Sequence, residues 1–497
     1  MNAQSKRRPR GLTAVLALLG GSSITLSLAP FNLWPLALLG PALLYLLQRH
    51  QHVRQAAWSG WAFGLGFWGA GVSWVYVSID RYGGAPPWLA GTLTFLFVAA
   101  LALLFALQGA LFARMAANAR HRWLMFTLTW LGFEWLRSWF LTGFPWLYLG
   151  YAWLDTPFKS WAPIGGVWAL SLLSLLLSMG LARLLADRHI PTLIPGAILA
   201  AAAWLLPAQW TQTKPDAGLD VVMIQPNIPQ LAKWQPDQLD GILQRQINMS
   251  LSVTDADVIV WPETAIPATF SRASQRLTPF LNLLQQDDIA LISGFPYVEA
   301  DPERPRGVRF HNSLGIFGAG QDIYHKQRLV PFGEYVPFED QLRGLIAFFD
   351  LPMSSFTLPR QDTDNLSLGT RKIAPAICYE IAYPQLVADL GREAEVILTV
   401  SNDTWFGRSI APDQHLQIAR MRALENGRWV IRATNNGLTA FIRPDGSLAA
   451  QAPVDEQAIL RHEVDMMTGQ TPWQYLGVWP LAGLLTLMGL FAARRPG

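Results

Sequence analysis

Where the apolar residues lie along this chain limits its fold more than how many there are. Residues 11–207 are dense in Leu, Ala, Trp and Phe and carry few charges, 214–465 have the composition of an ordinary globular domain, and 475–493 are apolar again. Apolar runs of bilayer length on both sides of a globular segment predict a membrane–globular–membrane order. At 497 residues, 51% of them hydrophobic and 15% charged, the chain is too long for one core and too apolar for a soluble enzyme.

A helix that crosses a bilayer needs about 20 mostly apolar residues. The sequence predicts eight such spans, near 11–29, 33–48, 57–78, 88–112, 123–141, 163–182, 190–207 and 475–493. The first reads as an uncleaved span, because its apolar stretch is long and no small-residue cleavage site separates it from the second. Orientation follows from Lys and Arg in the short connections. Lys6, Arg7, Arg8 and Arg10 precede the first span. Arg49 and Arg54 follow the second, Arg114, Arg120 and Arg122 the fourth, Arg183 and Arg188 the sixth, and Arg494 and Arg495 the last. The opposite side has Arg81 and Lys159. This alternation predicts cytoplasmic termini and a globular domain on the far side of the membrane. Glu134 and Arg137, one turn apart in the fifth span, read as a mutually satisfied pair or as a contact for a substrate headgroup. The aromatic loop 142–162 reads as an interfacial belt or as the lining of a lipid entrance.

Within 214–465, apolar β-rich runs at 219–224, 257–261, 289–293, 373–377 and 396–401 alternate with helical stretches near 236–252, 271–286, 380–390 and 412–426. Hairpin signals fall at 312–326, around Gly318-Ala319-Gly320, and at 429–443, around Asn436-Gly437. A mixed α/β sheet follows. Net charge is +3, with no basic run interleaved with aromatics, so nucleic acid is not an expected partner. The single Cys excludes an internal disulfide, and no Cys/His spacing suits zinc, so neither a metal nor another cofactor is expected.

In sheets of this kind chemistry gathers where strands end. VIVWPET ends in Glu263, IYHKQRLVPFGEYVP carries Lys326 and Glu334, and IAPAICYE brings Cys378 with Tyr379 and Glu380 behind it. A thiol needs a base or a cation to react, Glu263 can take its proton, Lys326 can stabilise a thiolate and an oxyanion, and Glu334 can hold Lys326. A Cys where a strand turns into a helix also gains from the helix dipole. Each residue alone has a plainer reading, as a surface charge or a small buried hydrophobe. His311, His325 and His415 read as hydrogen-bonding residues, and Asn402 and Asp403 as turn residues or as residues that orient backbone near the site.

The three segments WPET, HKQRLVPFGEYVP and CYE, in this order, resemble the nitrilase superfamily. SNDTWFG at 401–407, Gln414-His415, RALENGR at 422–428 and RATNNGLTAFIRPDG at 432–446, with the flanking spans, resemble the apolipoprotein N-acyltransferase family over nearly the whole chain. The resemblance implies a nitrilase-like α-β-β-α sandwich inserted in an eight-span transmembrane domain. Its parts are a helical membrane domain over 1–213, a periplasmic catalytic domain over 214–466, and a final span with a cytoplasmic tail over 467–497. It implies a bacterial inner-membrane enzyme, expected as a monomer, with Cys378 as nucleophile, Glu263 as general base and Lys326 as oxyanion stabiliser. Glu334, Tyr379 and Glu380 would support the site, and Trp234 in PNIPQLAKW would line the substrate entrance. The acyl donor would be a membrane phospholipid, typically phosphatidylethanolamine, and the acceptor the α-amine of an apolipoprotein's diacylglyceryl-cysteine. The same triad would serve a membrane-bound amidase or nitrilase with water as acceptor, and a lipid-binding protein without catalysis is the third reading. The apolar stretch 344–356, with Phe348 and Phe349, reads as a lid for the acyl chain or as core packing.

Overall fold

The computed structural model describes residues 9–117, 119–304, 307–342, 344 and 355–493; Phe348 and Phe349, to which the lid expectation is tied, lie outside them. The chain divides into two compact units. One gathers Met1–Tyr76, Pro87–Pro207 and Val478–Gly497, and the other Val77–Pro86 and Ala208–Gly477.

The first unit is helical. Arg10–Ser27, Pro87–Ala116 and Pro157–Asp187 are long and apolar enough to cross a membrane, and Val53–Val72 with Val75–Tyr82, bent by 58°, would make a fourth span. The helix Pro87–Ala116 exposes Leu96, Leu103, Leu107 and Leu111, as a lipid-facing surface does. Helices also form at the other four expected spans, but Leu36–Gln48 has 13 residues and Arg122–Leu136 has 15, while Ile190–Leu205 and Trp479–Ala492 are also short. At 1.5 Å per residue, 13 to 15 residues rise only about 20 Å, against roughly 30 Å of hydrocarbon. By length and composition alone, three to four helices qualify as spans among the described residues.

Small residues let these helices approach closely. A Cβ on Gly66 would lie 2.0 Å from the Leu18 carbonyl oxygen, and one on Gly60 2.2 Å from that of Phe105. The helix Val53–Val72 thus meets the helices Arg10–Ser27 and Pro87–Ala116 backbone to backbone. Glu134 and Arg137 are buried 3.7 Å apart. Glu134 accepts from the Leu149 amide at 3.0 Å, and Arg137 donates to the Trp146 carbonyl at 3.2 Å. The guanidinium also lies over the rings of Trp68, Tyr148 and Phe67, at 5.0, 5.2 and 5.6 Å. The pair thus braces the aromatic loop against its helix.

The second unit contains twelve strands among the described residues: β1 (Gln212–Gln225), β2 (Val258–Val260), β3 (Ala290–Ala300), β4 (Val308–Gly318), β5 (Asp322–His325), β6 (Leu366–Leu368), β7 (Arg371–Ile377), β8 (Val396–Ser401), β9 (Val430–Thr434), β10 (Ala440–Ile442), β11 (Leu448–Gln451) and β12 (Ala458–Thr468). They form two six-stranded sheets, ordered β12-β1-β2-β3-β4-β5 and β11-β10-β9-β8-β7-β6. In each, three central strands run parallel (β1-β2-β3 and β7-β8-β9), with antiparallel strands outside them. The period-2 pattern of β1 shows how the layers stack. Leu219, Val221 and Met223 pack with Ile373, Leu398 and Ile431 of the other sheet. Val222 and Ile224 pack outward with Leu243 and Leu277 of the helices Leu239–Ser250 and Phe270–Gln286. The helices Pro384–Gly391 and Ala411–Asn426 lie against β7 and β9 of the second sheet. The architecture is the α-β-β-α sandwich expected, with both hairpins in place.

The backbone contact at Gly66 can be tested. Gly66→Val should lower the melting temperature of the detergent-solubilised protein, since overpacking costs about 1–3 kcal/mol. Gly132→Val, whose Cβ meets nothing within 4 Å, serves as control. Equal melting of the two variants would contradict the close helix crossing.

Candidate active site

The fold brings Glu263, Lys326 and Cys378 to the ends of their strands, where the parallel strands of both sheets finish. Glu263 follows β2, Lys326 follows β5, and Cys378 follows β7. Glu263 sits in a turn in which Thr264 takes a φ of +49°. The turn presses on β3, where a Cβ on Gly294 would lie 2.4 Å from the Thr264 nitrogen and 2.9 Å from the Glu263 Cα. Only a glycine lets the two backbones come so near.

Lys326 is 1% exposed. Its Nζ donates to Glu334 Oε1 at 2.9 Å and to Glu263 Oε1 at 3.5 Å. Asn312 Nδ2, from β4, joins the two carboxylates, donating to Glu263 Oε1 at 2.9 Å and to Glu334 Oε1 at 2.7 Å. Glu263 Oε2 accepts from the Asn402 amide at 3.0 Å, and Glu334 Oε2 from the Val330 amide at 2.8 Å. Burial alone would discharge the lysine; Glu334 and Glu263 outweigh it and raise the ammonium pKa above its ordinary value. Lys326 therefore stays charged, which suits it to face an anion rather than to carry a proton.

Cys378 is half-buried, with φ at +53°, a conformation that costs a non-glycine residue roughly 1–3 kcal/mol. It opens a 3-10 turn, Cys378–Ala382, and the α-helix starts only at Pro384. The expected gain from an α-helix dipole is therefore not what places this thiol. Two neighbours hold the strained turn. Glu380, fully buried, accepts from the Ile377 amide at 2.8 Å with one oxygen. Its other oxygen accepts from the Gln327 amide at 2.6 Å, the Arg328 amide at 3.1 Å and the Tyr324 hydroxyl at 3.0 Å. On the other side His415 Nε2 meets the Cys378 carbonyl at 3.2 Å. Burial and the Arg432 guanidinium hold the imidazole pKa below its ordinary value. The ring's Nδ1 lies 3.1 Å from Asp403 Oδ1 and 3.2 Å from the Arg432 guanidinium. Arg432 also pairs with Asp403 at 2.6 Å.

Burial, followed by the Glu263 carboxylate, pushes the Cys378 thiol pKa well up, and Lys326 pulls it back in part. The group is held as a thiol, within the electrostatic reach of the Glu263 carboxylate and the Lys326 ammonium. The Ser401 hydroxyl lies 3.4 Å from Sγ and 2.7 Å from Asp403 Oδ1.

Tyr379 stands edge-on to Tyr383, ring centroids 5.2 Å apart. Trp234 caps the short helix Gln230–Lys233, and its indole nitrogen is buried with no hydrogen-bond partner among the described residues. The residue before it, absent from the sequence expectations, reaches the site. Lys233 is 3% exposed and its Nζ donates to the Glu263 carbonyl at 2.9 Å. Burial lowers its pKa to about 8. Asn312 and Ser401 were also not anticipated; the polar His-Asn-Ser run inside an apolar strand was the available signal for Asn312. His311 bridges Glu299 and the Thr357 carbonyl, and His325 pairs with Ser313.

Residues 20–180 match the family described as apolipoprotein N-acyltransferase N-terminal domain, and residues 221–472 match carbon-nitrogen hydrolase. The chain is 47% identical, over 98% of its length, to an apolipoprotein N-acyltransferase of Pseudomonas aeruginosa, of which 96% is covered. It is 40% identical over 97% of its length to one of Vibrio parahaemolyticus, again covering 96% of that protein. Among solved structures, a member of branch 10 of the nitrilase superfamily from Saccharomyces cerevisiae aligns with 53% of this chain and 95% of its own, at 18% identity and a TM-score of 0.37.

Two tests address the geometry. Gly294→Ala should displace Glu263 and lower the turnover number, by up to about 100-fold for a 1 Å misplacement; unchanged turnover would refute the close approach. The second concerns Glu380, whose carboxyl burial pushes up to about 7, against the pull of Lys326 and the amides, from an ordinary value of 4.5. Folding then takes up a proton between these values. Stability due to this group is full below about pH 4.5, falls as pH rises to about 7 and is level beyond, a change of at most roughly 3 kcal/mol. Glu380→Gln should flatten that limb in melting temperatures measured from pH 4.5 to 8; a slope identical to wild type would contradict it.

Proposed function

This chain belongs to the apolipoprotein N-acyltransferase family, and we propose that it moves one acyl chain from a membrane phospholipid, through a thioester on Cys378, to the N-terminal α-amine of a lipoprotein's diacylglyceryl-cysteine. The observation that carries the reading is the buried Glu263–Lys326–Glu334 cluster electrostatically coupled to the thiol, in a chain whose remaining length is apolar helix.

In the first half-reaction Glu263 takes the Cys378 proton as the sulfur attacks the ester carbonyl. The developing oxyanion faces the Lys326 ammonium, which Glu334 and Asn312 hold in place. Collapse breaks the ester C–O bond, and Glu263 returns the proton to the leaving lysophospholipid alcohol. In the second half the lipoprotein amine attacks the thioester, Glu263 takes the amine proton, and collapse releases the thiolate, which recovers that proton. Glu380 and His415 hold the turn that presents the sulfur, Tyr379 adjoins it, and Trp234 lines the substrate entrance. Phosphatidylethanolamine is the donor we assign.

The arginine and lysine distribution supports eight spans, cytoplasmic termini, and a domain over 214–466 on the periplasmic face of the inner membrane, between membrane parts over 1–213 and 467–497. Leu231, Phe332 and Phe338 are exposed on the segments that carry Lys233, Lys326 and Glu334, which suits an acyl substrate better than a small polar amide.

Intact mass spectrometry of the protein taken from membranes should show one added acyl chain, removed by hydroxylamine and absent from Cys378→Ser. With labelled phospholipid and a diacylglyceryl peptide, the purified protein should yield N-acyl peptide. Free fatty acid without N-acyl peptide would favour hydrolysis with water as acceptor, and full turnover by Cys378→Ser would end the mechanism.

A further inference from the structure

The site's charges do not balance on Lys326 alone. Glu263 and Glu334 are two carboxylates on one ammonium. When Glu263 takes the thiol proton, the negative charge moves to sulfur and does not leave the site. Thiolate and Glu334 then still face a single cation.

A second cation is present. Lys233 is almost fully buried, yet among the described residues no carboxylate lies within ion-pair distance of it. Among the described residues its ammonium donates to a neutral acceptor, the Glu263 carbonyl, and its charge interacts with Glu263 and Cys378. Burying an ammonium on one neutral partner is unfavourable by itself, so stability does not account for a lysine here. The short helix that carries it is fixed by Asn402. The side-chain amide of Asn402 donates to Gln230 Oε1 at 2.6 Å, and its main-chain amide donates to Glu263 Oε2 at 3.0 Å. One residue thus sets the helix and the carboxylate in register. The titratable groups facing Lys233 are Glu263 and Cys378, with Lys326 and Glu334 one contact beyond.

We propose that Lys233 is the second cation of this site, a positioning residue that holds the Glu263 main chain and offsets the negative charge formed on Cys378. The proposal rests on the reading of Cys378 as the nucleophile. It assigns the two lysines different tasks: Lys326 is locked between carboxylates, while Lys233 has no carboxylate at ion-pair distance among the described residues.

The test uses the full-length protein in detergent with iodoacetamide as probe; Cys378 is the chain's one cysteine, so intact mass reads a single adduct. Lys233→Gln keeps an N–H for the Glu263 carbonyl and removes the charge, and Lys233→Arg keeps the charge. The Gln variant should be alkylated about tenfold more slowly at pH 7.5, with the midpoint of its pH profile about one unit higher, since one pKa unit is tenfold in thiolate. The Arg variant should stay near the wild-type rate. A Gln variant that melts like wild type and keeps the wild-type profile overturns the proposal. If the Gln variant does not fold, a folded Arg variant decides: a wild-type rate supports the proposal, and alkylation more than about tenfold slower overturns it. Failure of the acyl-transfer reading would show instead as an unmodified wild-type Cys378 in membranes, which leaves this comparison intact.

Discussion

An ammonium sealed from water must be surrounded by oxygen, and the end of the sandwich is arranged around that demand at Lys326. The desolvation penalty of such an ion is several kcal/mol, comparable to a large share of a domain's net stability. It is met by Glu263 from beyond β2 and by Glu334 from the loop after β5. Asn312 of β4 ties the two carboxylates to each other. Three segments distant in sequence are therefore fixed relative to one another by a single charge. The same arrangement that satisfies the lysine leaves its positive field directed at the thiol.

Cys378 comes from the other sheet, and Glu380 joins the two. It belongs to the turn after β7, yet three of its four hydrogen bonds go to Tyr324, Gln327 and Arg328, in and after β5. Any shift of one sheet end against the other would strand a buried carboxylate. That coupling, with the His415 contact to the Cys378 carbonyl, offsets the cost of the left-handed backbone at the cysteine. The sulfur is presented by strain that its neighbours hold in place, not by a helix start.

What could be read in advance follows physical range. The buried strands announced themselves as apolar runs, and the hairpins at Gly318 and Asn436-Gly437 as turn chemistry, because both are local. Glu263 and Cys378 were legible as candidates since each follows an apolar run, and Lys326 since it stands in the segment HKQRLVPFGEYVP. Lys233, Asn312 and Ser401 were not, because their meaning lies in partners brought near by the pairing of strands. Span count was legible only in part, for a related reason. Hydropathy reports composition over a window, whereas the helix Arg122–Leu136 ends early, where the chain turns into 3-10 segments at Phe140–Thr142, Leu149–Trp153 and Pro157–Trp161. The apolar character continues through those turns although the helix does not.

One short segment has a consequence for how the protein can be divided. Residues Val77–Pro86 are joined at both ends to membrane helices yet pack with the globular unit. The Ser78 hydroxyl donates to the Trp405 carbonyl at 2.8 Å, and the Tyr82 ring meets the Trp405 ring edge-on, 5.5 Å between centroids. Trp405 lies three residues after Asn402, whose amide aims the Glu263 carboxylate. A chain cut to begin at Ala208 would keep every strand and every titrating group of the site but lose the prop beneath the loop that aims Glu263. The boundary of the compact unit is thus not the boundary of its sandwich.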